Sequence, residues 1–275
     1  MTARGSTVSE PIIGVLEEVW GQLEALGEQL DEAQWKLPTD CPGWSVQDNL
    51  AHIIGTELAL LGEPGPPEPD KEFPYVKNVV GQLNEPWIES MRSMSGEEVL
   101  EKFKDATKRR LDVLKAMDAD EWDKLGWTPA GEGPYREFMN IRALDSWVHL
   151  QDMRRALGLP GDQSGPVADH ALGRMKMAMG FVVGKKAAAP DGSTIVFEVT
   201  GPTADTFAVG VDGRAALLDD LPGDPTVTLR MDFETYAVLG CGRRDPAAAL
   251  SAGEVEINGD RELGESVVRN LNFMI

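Results

Sequence analysis

Residues 134–158 read PYREFMNIRALDSWVHLQDMRRALG, and the rest of the chain is organised around them. Pro134 suits a first helical turn, where its missing N–H would have no partner in any case. Gly158, followed by Pro160, suits the C-terminal stop. Between them Phe138, Ile141, Leu144, Val148 and Leu157 recur near helical spacing. Asp145, His149 and Asp152 fall at i, i+4 and i+7. Four residues advance a helix by about 400°, so Asp145 and His149 lie roughly 40° apart and one turn from each other, with Asp152 continuing the stripe. Leu144, Trp147, Val148 and Met153 flank that stripe and predict that it is largely buried. A buried carboxylate and imidazole need a partner, because an unpaired buried charge is costly. A metal ion is one such partner.

The sequence before this stretch predicts helices. Residues 12–30 carry Ile13, Val15, Leu16, Val19, Leu23, Leu26 and Leu30 in a helical pattern. LPTDCPGW follows as a loop, then Ser45 as an N-cap with Asp48 three residues on, a capping-box-like start. The helix so begun runs to about Gly62 and holds His52 among Leu50, Ile53, Ile54 and Leu58. GEPGPPEPDKEFP is an exposed proline-rich acidic loop. Residues 75–117 are helical with an interruption near Ser95-Gly96, where SGEE opens a fresh helix. Four principal helices with short-to-medium connections suggest a four-helix bundle, and bundle cores are where facing helices build metal sites.

After residue 158 the period changes. LPGDQSGPV, residues 159–167, is the best domain boundary, which divides the chain into 1–158 and 167–275. Residues 168–183 are helical. TIVFEVT (194–200), TFAVGV (206–211) and TVTLRM (226–231) are strands, and 255–257 a fourth. A short helix at 232–239 and a terminal one at 261–271 complete an α+β chain of two domains.

Composition limits the function. The formal net charge of −20 argues against nucleic-acid and anionic-membrane partners, and any anionic small substrate then needs local Arg or Lys. Cys41 and Cys241 give no disulfide framework and no CxxC, so a reducing cytoplasm is expected. The opening MTARGSTVSEP lacks the apolar core of a signal peptide, and no apolar run approaches the roughly 20 residues that span a membrane. The oligomeric state stays open.

The chain has three histidines, and two of them lie on helix faces expected to be buried in one domain. His52, Asp145 and His149 would supply three N/O ligands and leave a fourth position open, the arrangement of a catalytic zinc site. Asp152 would orient the site or bind substrate from behind the ligands. The alternative is a pair of core histidines with ordinary hydrogen bonds, and Asp145 in a helix ion pair with Arg142 or Arg154. His170 reads as a surface or capping residue, and Met175, Met177 and Met179 as packing. Cys41 has no basic neighbour in sequence and reads as structural. Trp44, at the head of the His52 helix, would frame a pocket. GRRD, residues 242–245, is a basic spot in an acidic chain, or a solvated turn.

W-x5-CPGWSV-x-D-x-LAH, from Trp35 to His52, resembles the opening of the DinB-like mycothiol-dependent maleylpyruvate isomerase family. LDSWVHLQDMRRALG, residues 144–158, resembles the family's second motif. TLRMDFETYAVLGCGRRDPAAAL with VEINGDRELG resembles its sterol-carrier-like C-terminal domain. The resemblance implies a divalent metal, usually zinc, on His52, Asp145 and His149, with Asp145 where the family commonly has Glu. It implies roles for Asp152 and for an arginine that lands on Arg243, with Arg244 the near alternative. It also implies mycothiol as a thiol cosubstrate at the open metal position, near Trp44 and Arg244, and a small electrophile that is isomerised or takes the sulfur. The competing expectation is a non-catalytic protein that binds a metal or an apolar ligand.

Overall fold

The computed structural model describes residues 10–274; the opening MTARGSTVS, read above as lacking a signal-peptide core, lies outside the described residues. The described residues divide into two compact units, 10–162 and 163–274. The fold class is mixed, with a helical first unit and an α/β second unit.

In the first unit, α1 (Pro11–Gly27) starts with proline in its first turn and buries Leu16, Val19, Trp20 and Leu23. A one-turn α2 (Glu32–Trp35) precedes α3 (Val46–Leu60), which carries His52. Ser45 caps α3 as its sequence predicts: its side chain accepts from Asp48 N–H while the Asp48 carboxylate accepts from Ser45 N–H. α4 (Val79–Met91) and α5 (Gly96–Ala116) are separated at the expected interruption, with Ser95 and Glu98 forming the capping box that opens α5. Gly55 lets α4 lie close on α3, since a Cβ there would stand 2.4 Å from Trp87 Cβ. α7 (Tyr135–Leu157) packs on α1 and α3 and ends at Gly158, whose φ of 65° is the left-handed stop a glycine adopts most cheaply. The first turns of α3 and α5 and the last turn of α7 therefore rest on local signals.

Two features depart from the sequence expectation. After the short α6 (Ala119–Asp123), β1 (Leu125–Thr128) and β2 (Gly131–Pro134) form an antiparallel hairpin before α7. Thr128 Oγ1 donates to Gly131 O at 2.7 Å and closes it. Pro134 therefore ends a strand in extended conformation and stands just before α7, not inside its first turn.

In the second unit, α8 (Pro166–Phe181) passes into a π-helical turn at Val182–Lys186. The strands are β3 (Thr194–Thr200), β4 (Asp205–Asp212), β5 (Arg214–Leu217), β6 (Val227–Asp232) and β7 (Glu256–Gly259). They form one sheet in the order β5-β4-β3-β6-β7, with β3 and β6 parallel and the other pairs antiparallel. β5 was not expected: RAAL has no β-branched residue and joins only one neighbour, at the sheet edge. Helices α9 (Phe233–Gly240), α10 (Pro246–Ser251) and α11 (Arg261–Arg269) complete the unit. Phe197 and Phe207 stack at 5.0 Å beneath Tyr236 to form its aromatic core.

Because the capping box sets where α3 begins, Ser45→Ala is expected to cost about 1 kcal/mol of stability. Urea unfolding checks this, and an unchanged midpoint would show that tertiary packing alone fixes the start of α3.

Candidate metal centre

The site is built by α3 and α7. His52 on α3 faces α7, where Asp145 and His149 lie one turn apart. His52 Nε2 is 3.2 Å from Asp145 Oδ2, and His149 Nε2 is 3.6 Å from Asp145 Oδ1. The two imidazole centroids are 4.9 Å apart. One ligand atom from each of the three residues lies within 4.8 Å of the others, as one ion needs. Both histidines are buried, while the Asp145 side chain is 19% exposed, so the carboxylate marks the side nearest solvent. Trp44 stands over both imidazoles, with ring centroids 5.2 Å from His52 and 5.6 Å from His149. Its Nε1 donates to the buried Glu85 at 2.7 Å, which fixes the indole.

The charges around the site suit a cation. Burial works against ionisation of Asp145, but the Arg142 guanidinium and the two imidazoles hold its carboxyl well below the usual carboxylate range. Burial pushes His52 down despite the Asp145 charge, so it is neutral at pH 7 and offers a lone pair. For His149, burial is outweighed by Asp145 and by hydrogen bonds to Asp145 and Asp152, which hold it well above the usual imidazole range. An ion would take the place of its Nε2 proton. The donor set of two imidazole nitrogens and one carboxylate therefore fits a divalent ion with an open position. The helix ion pair weighed as an alternative is also present: Arg142 Nη1 holds Asp145 Oδ2 at 2.5 Å. The two readings coexist, because Oδ1 remains directed toward His149.

Several neighbours escaped the sequence reading. Glu57, five residues after His52, is fully buried between Arg110 and Arg142, each donating from Nε at 2.9 Å. Asn49 and Cys41 lie behind His149, with Asn49 Oδ1 2.7 Å and Cys41 Sγ 3.9 Å from its Nδ1. Cys41 thus does have a basic neighbour, supplied by a residue 108 positions away, and its thiol donates to Asp152 Oδ2 at 3.1 Å. Asp152 is fully buried; Oδ2 lies 3.2 Å from His149 Nδ1, and Oδ1 accepts from Arg155. Asp152 is thus placed behind the ring, on the side away from Nε2. Cys41, His149 and Asp152 form a second group of potential donors. The remaining sequence candidates lie in the second unit. Arg243 follows Gly242, whose φ is 68°, and its Nη1 donates to Cys241 O at 2.9 Å. Arg244 pairs with Glu254.

Comparison with known proteins agrees with this architecture. Residues 16–154 match the family model described as the mycothiol maleylpyruvate isomerase N-terminal domain, and 169–266 match the model of the corresponding C-terminal domain. The chain belongs to this family. An uncharacterized protein of Mycobacterium tuberculosis, found in two strains, is 25% identical over 259 residues, covering 91% of this chain and 90% of its own. The crystal structure of the mycothiol-dependent maleylpyruvate isomerase shares the fold, at a TM-score of 0.55 and 16% identity over 90% of this chain and 91% of that one. A mutant of that isomerase matches equally, at 15% identity. Among the described residues, no helix is long and apolar enough to cross a membrane.

Proposed function

We propose that this member of the family is a metal-dependent enzyme that uses a low-molecular-weight thiol, mycothiol, for S-transfer to, or isomerisation of, a small electrophile. The observation that carries this reading is the convergence of His52, Asp145 and His149 under Trp44. Zinc is the ion that suits two imidazoles and one carboxylate with a fourth position open. Mycothiol and the isomerisation come from the family and from the solved isomerase.

A free thiol of pKa about 8.5 is only a few per cent thiolate at neutral pH. A divalent ion supplies the missing acidity, because coordination deprotonates a thiol. The chain's own groups prepare for this. Arg142 keeps Asp145 ionised and holds Oδ2, which leaves Oδ1 for the ion. Trp44 covers the imidazoles and keeps water from that face, and its indole offers the thiol an apolar wall. Asp152 acts through His149 by holding the far side of the ring. Where the electrophile is isomerised the thiol is released again, and where it is alkylated the C–S bond stays. The thiol requirement suits a reducing compartment, the cytoplasm.

Arg243, in the second unit, is assigned to an anionic group of the substrate; Arg244, in the same unit, and Trp44, in the first, are assigned to the thiol. In a chain of net charge −20, such a group needs local positive charge. Arg243→Ala is expected to lose roughly 2–5 kcal/mol of transition-state stabilisation in kcat/KM while leaving metal content unchanged. Arg243→Lys is expected to recover only part, lacking the planar fork. Steady-state kinetics with thiol and electrophile varied separately decide it, and wild-type kinetics in Arg243→Ala would remove Arg243 from the reaction.

The reading itself is tested by thiol consumption and product analysis with zinc-loaded protein, mycothiol and a panel of electrophiles that includes maleylpyruvate. Thiol-dependent turnover is expected. Stoichiometric metal without turnover across the panel would favour a non-catalytic binding protein.

A further inference from the structure

His149 has two nitrogens, and each faces a different group of donors. Nε2 looks toward Asp145 and the His52 side, Nδ1 toward Asn49, Asp152 and Cys41. Only a nitrogen without a hydrogen binds a metal, so what fixes the hydrogen on one side decides which group holds the ion.

Asn49 settles this through the direction of its own bonds. It is fully buried on α3, three residues before His52. Its amide nitrogen donates to the backbone carbonyl of Ser45 at 2.8 Å and to Thr39 Oγ1 at 3.0 Å. A carbonyl only accepts, so the nitrogen belongs at that end. Thr39 leads to the same result: its one hydroxyl proton goes to Trp44 O at 3.0 Å, so toward Asn49 it accepts. Both amide hydrogens are thereby used, and Oδ1 is left facing His149 Nδ1 at 2.7 Å. An oxygen at that distance requires a hydrogen on Nδ1. Asp152 Oδ2, at 3.2 Å, is a second acceptor for the same nitrogen, and the Cys41 thiol lies against both acceptors, 3.1 Å from Asp152 Oδ2 and 3.6 Å from Asn49 Oδ1. Asn49 is the acceptor whose orientation is anchored to the backbone.

We propose that Asn49 is a positioning residue that keeps the hydrogen of His149 on Nδ1 and so offers Nε2 to the ion. The proposal rests on the metal reading above and deepens it. It assigns the ion to His52, Asp145 and His149, and makes the Cys41–His149–Asp152 group a hydrogen-bonded support. The polarity runs in one direction, from Trp44 O through Thr39 and Asn49 to the ring, so the loop before α3 sets the protonation of a residue on α7.

The experiment compares the full-length wild type with Asn49→Leu and Asn49→Asp. Zinc affinity is measured by chelator competition, folding by circular dichroism, and the His149 ring nitrogens by ¹⁵N NMR with and without zinc. Zinc-loaded wild type is expected to show His149 bound through Nε2 with Nδ1 protonated. Asn49→Leu is expected to stay folded and to lose about 10–100-fold in zinc affinity, the range for partners that orient a ligating histidine. Asn49→Asp keeps an acceptor and loses both donors, and is expected to recover most of that loss. Coordination through Nδ1, unchanged affinity in Asn49→Leu, or equal weakness in both variants would overturn the proposal. Should wild type bind no divalent metal, the metal reading fails separately. The metal-free protein still tests Asn49: the ¹⁵N shift of His149 Nδ1 is expected to move in Asn49→Leu, where one of its two acceptors is lost, and an unchanged shift would overturn the proposal.

Discussion

His149→Ala and His52→Ala are each expected to abolish stoichiometric binding of a divalent ion while the helical unit stays folded. Three side chains supply the protein ligands, and no other described residue is placed to replace either imidazole on the Nε2 side of His149. With one imidazole gone, one nitrogen and one carboxylate remain, too few to hold zinc against water and buffer. Folding survives for a separate reason. α3 and α7 are held by faces that do not depend on the histidines, with Leu50, Ile53 and Ile54 on one and Met139, Trp147, Leu150 and Met153 on the other. Metal analysis after dialysis, with far-UV circular dichroism on the same samples, reads the two effects apart. His170→Ala, on α8 of the second unit, serves as the control and is expected to keep its metal. Stoichiometric metal in both His52→Ala and His149→Ala would place the ion elsewhere.

How much of this site the sequence discloses depends on how far apart the partners lie. Asp145 and His149 are legible because helical geometry alone puts them a turn apart. His52 is legible because Ser45 and Asp48 fix the start of its helix. Asn49, Cys41 and Glu57 are not, since the residues that give them meaning lie 100, 108 and 85 positions away. A polar residue inside an apolar helical pattern was the only available signal for Glu57. The fold divides in the same way. α7 could be bounded from a glycine stop and the spacing of its apolar residues. The hairpin at 125–134 could not, because LGWT and GEGP contain three glycines and one β-branched residue, too little to outweigh a turn reading. β3 keeps its expected bounds, 194–200, while the ends of β4, β6 and β7 differ from expectation by one or two residues, where only pairing sets them.

Glu57 gives the second large effect, and it concerns stability. Its carboxylate is fully buried, with Oε2 accepting from Arg110 and Oε1 from Arg142. Arg110 is 1% exposed and also donates to Tyr135 Oη at 2.6 Å, while Arg142 continues to Asp145. One carboxylate thus bridges two guanidiniums that have little access to water, and Asp145 is the second carboxylate on Arg142. Breaking a buried pair by removing one partner typically costs about 3–5 kcal/mol, because the other charge stays buried without compensation. Glu57→Ala is expected to lose at least that amount, a large share of the roughly 5–15 kcal/mol by which domains are stable. Glu57→Gln keeps one acceptor and the side-chain volume but not the charge, and should fall between. The change should also reach the metal. Without Glu57, the Nε tether on Arg142 is gone, so the guanidinium is free to close fully on Asp145 and compete with an ion for the carboxylate. Urea unfolding of the metal-free proteins measures the first effect, and zinc affinity of the folded Glu57→Gln variant the second. A loss near 1 kcal/mol in Glu57→Ala, the size expected for an exposed pair, would show that the two arginines reach water and that the network is not the ionic core of the unit.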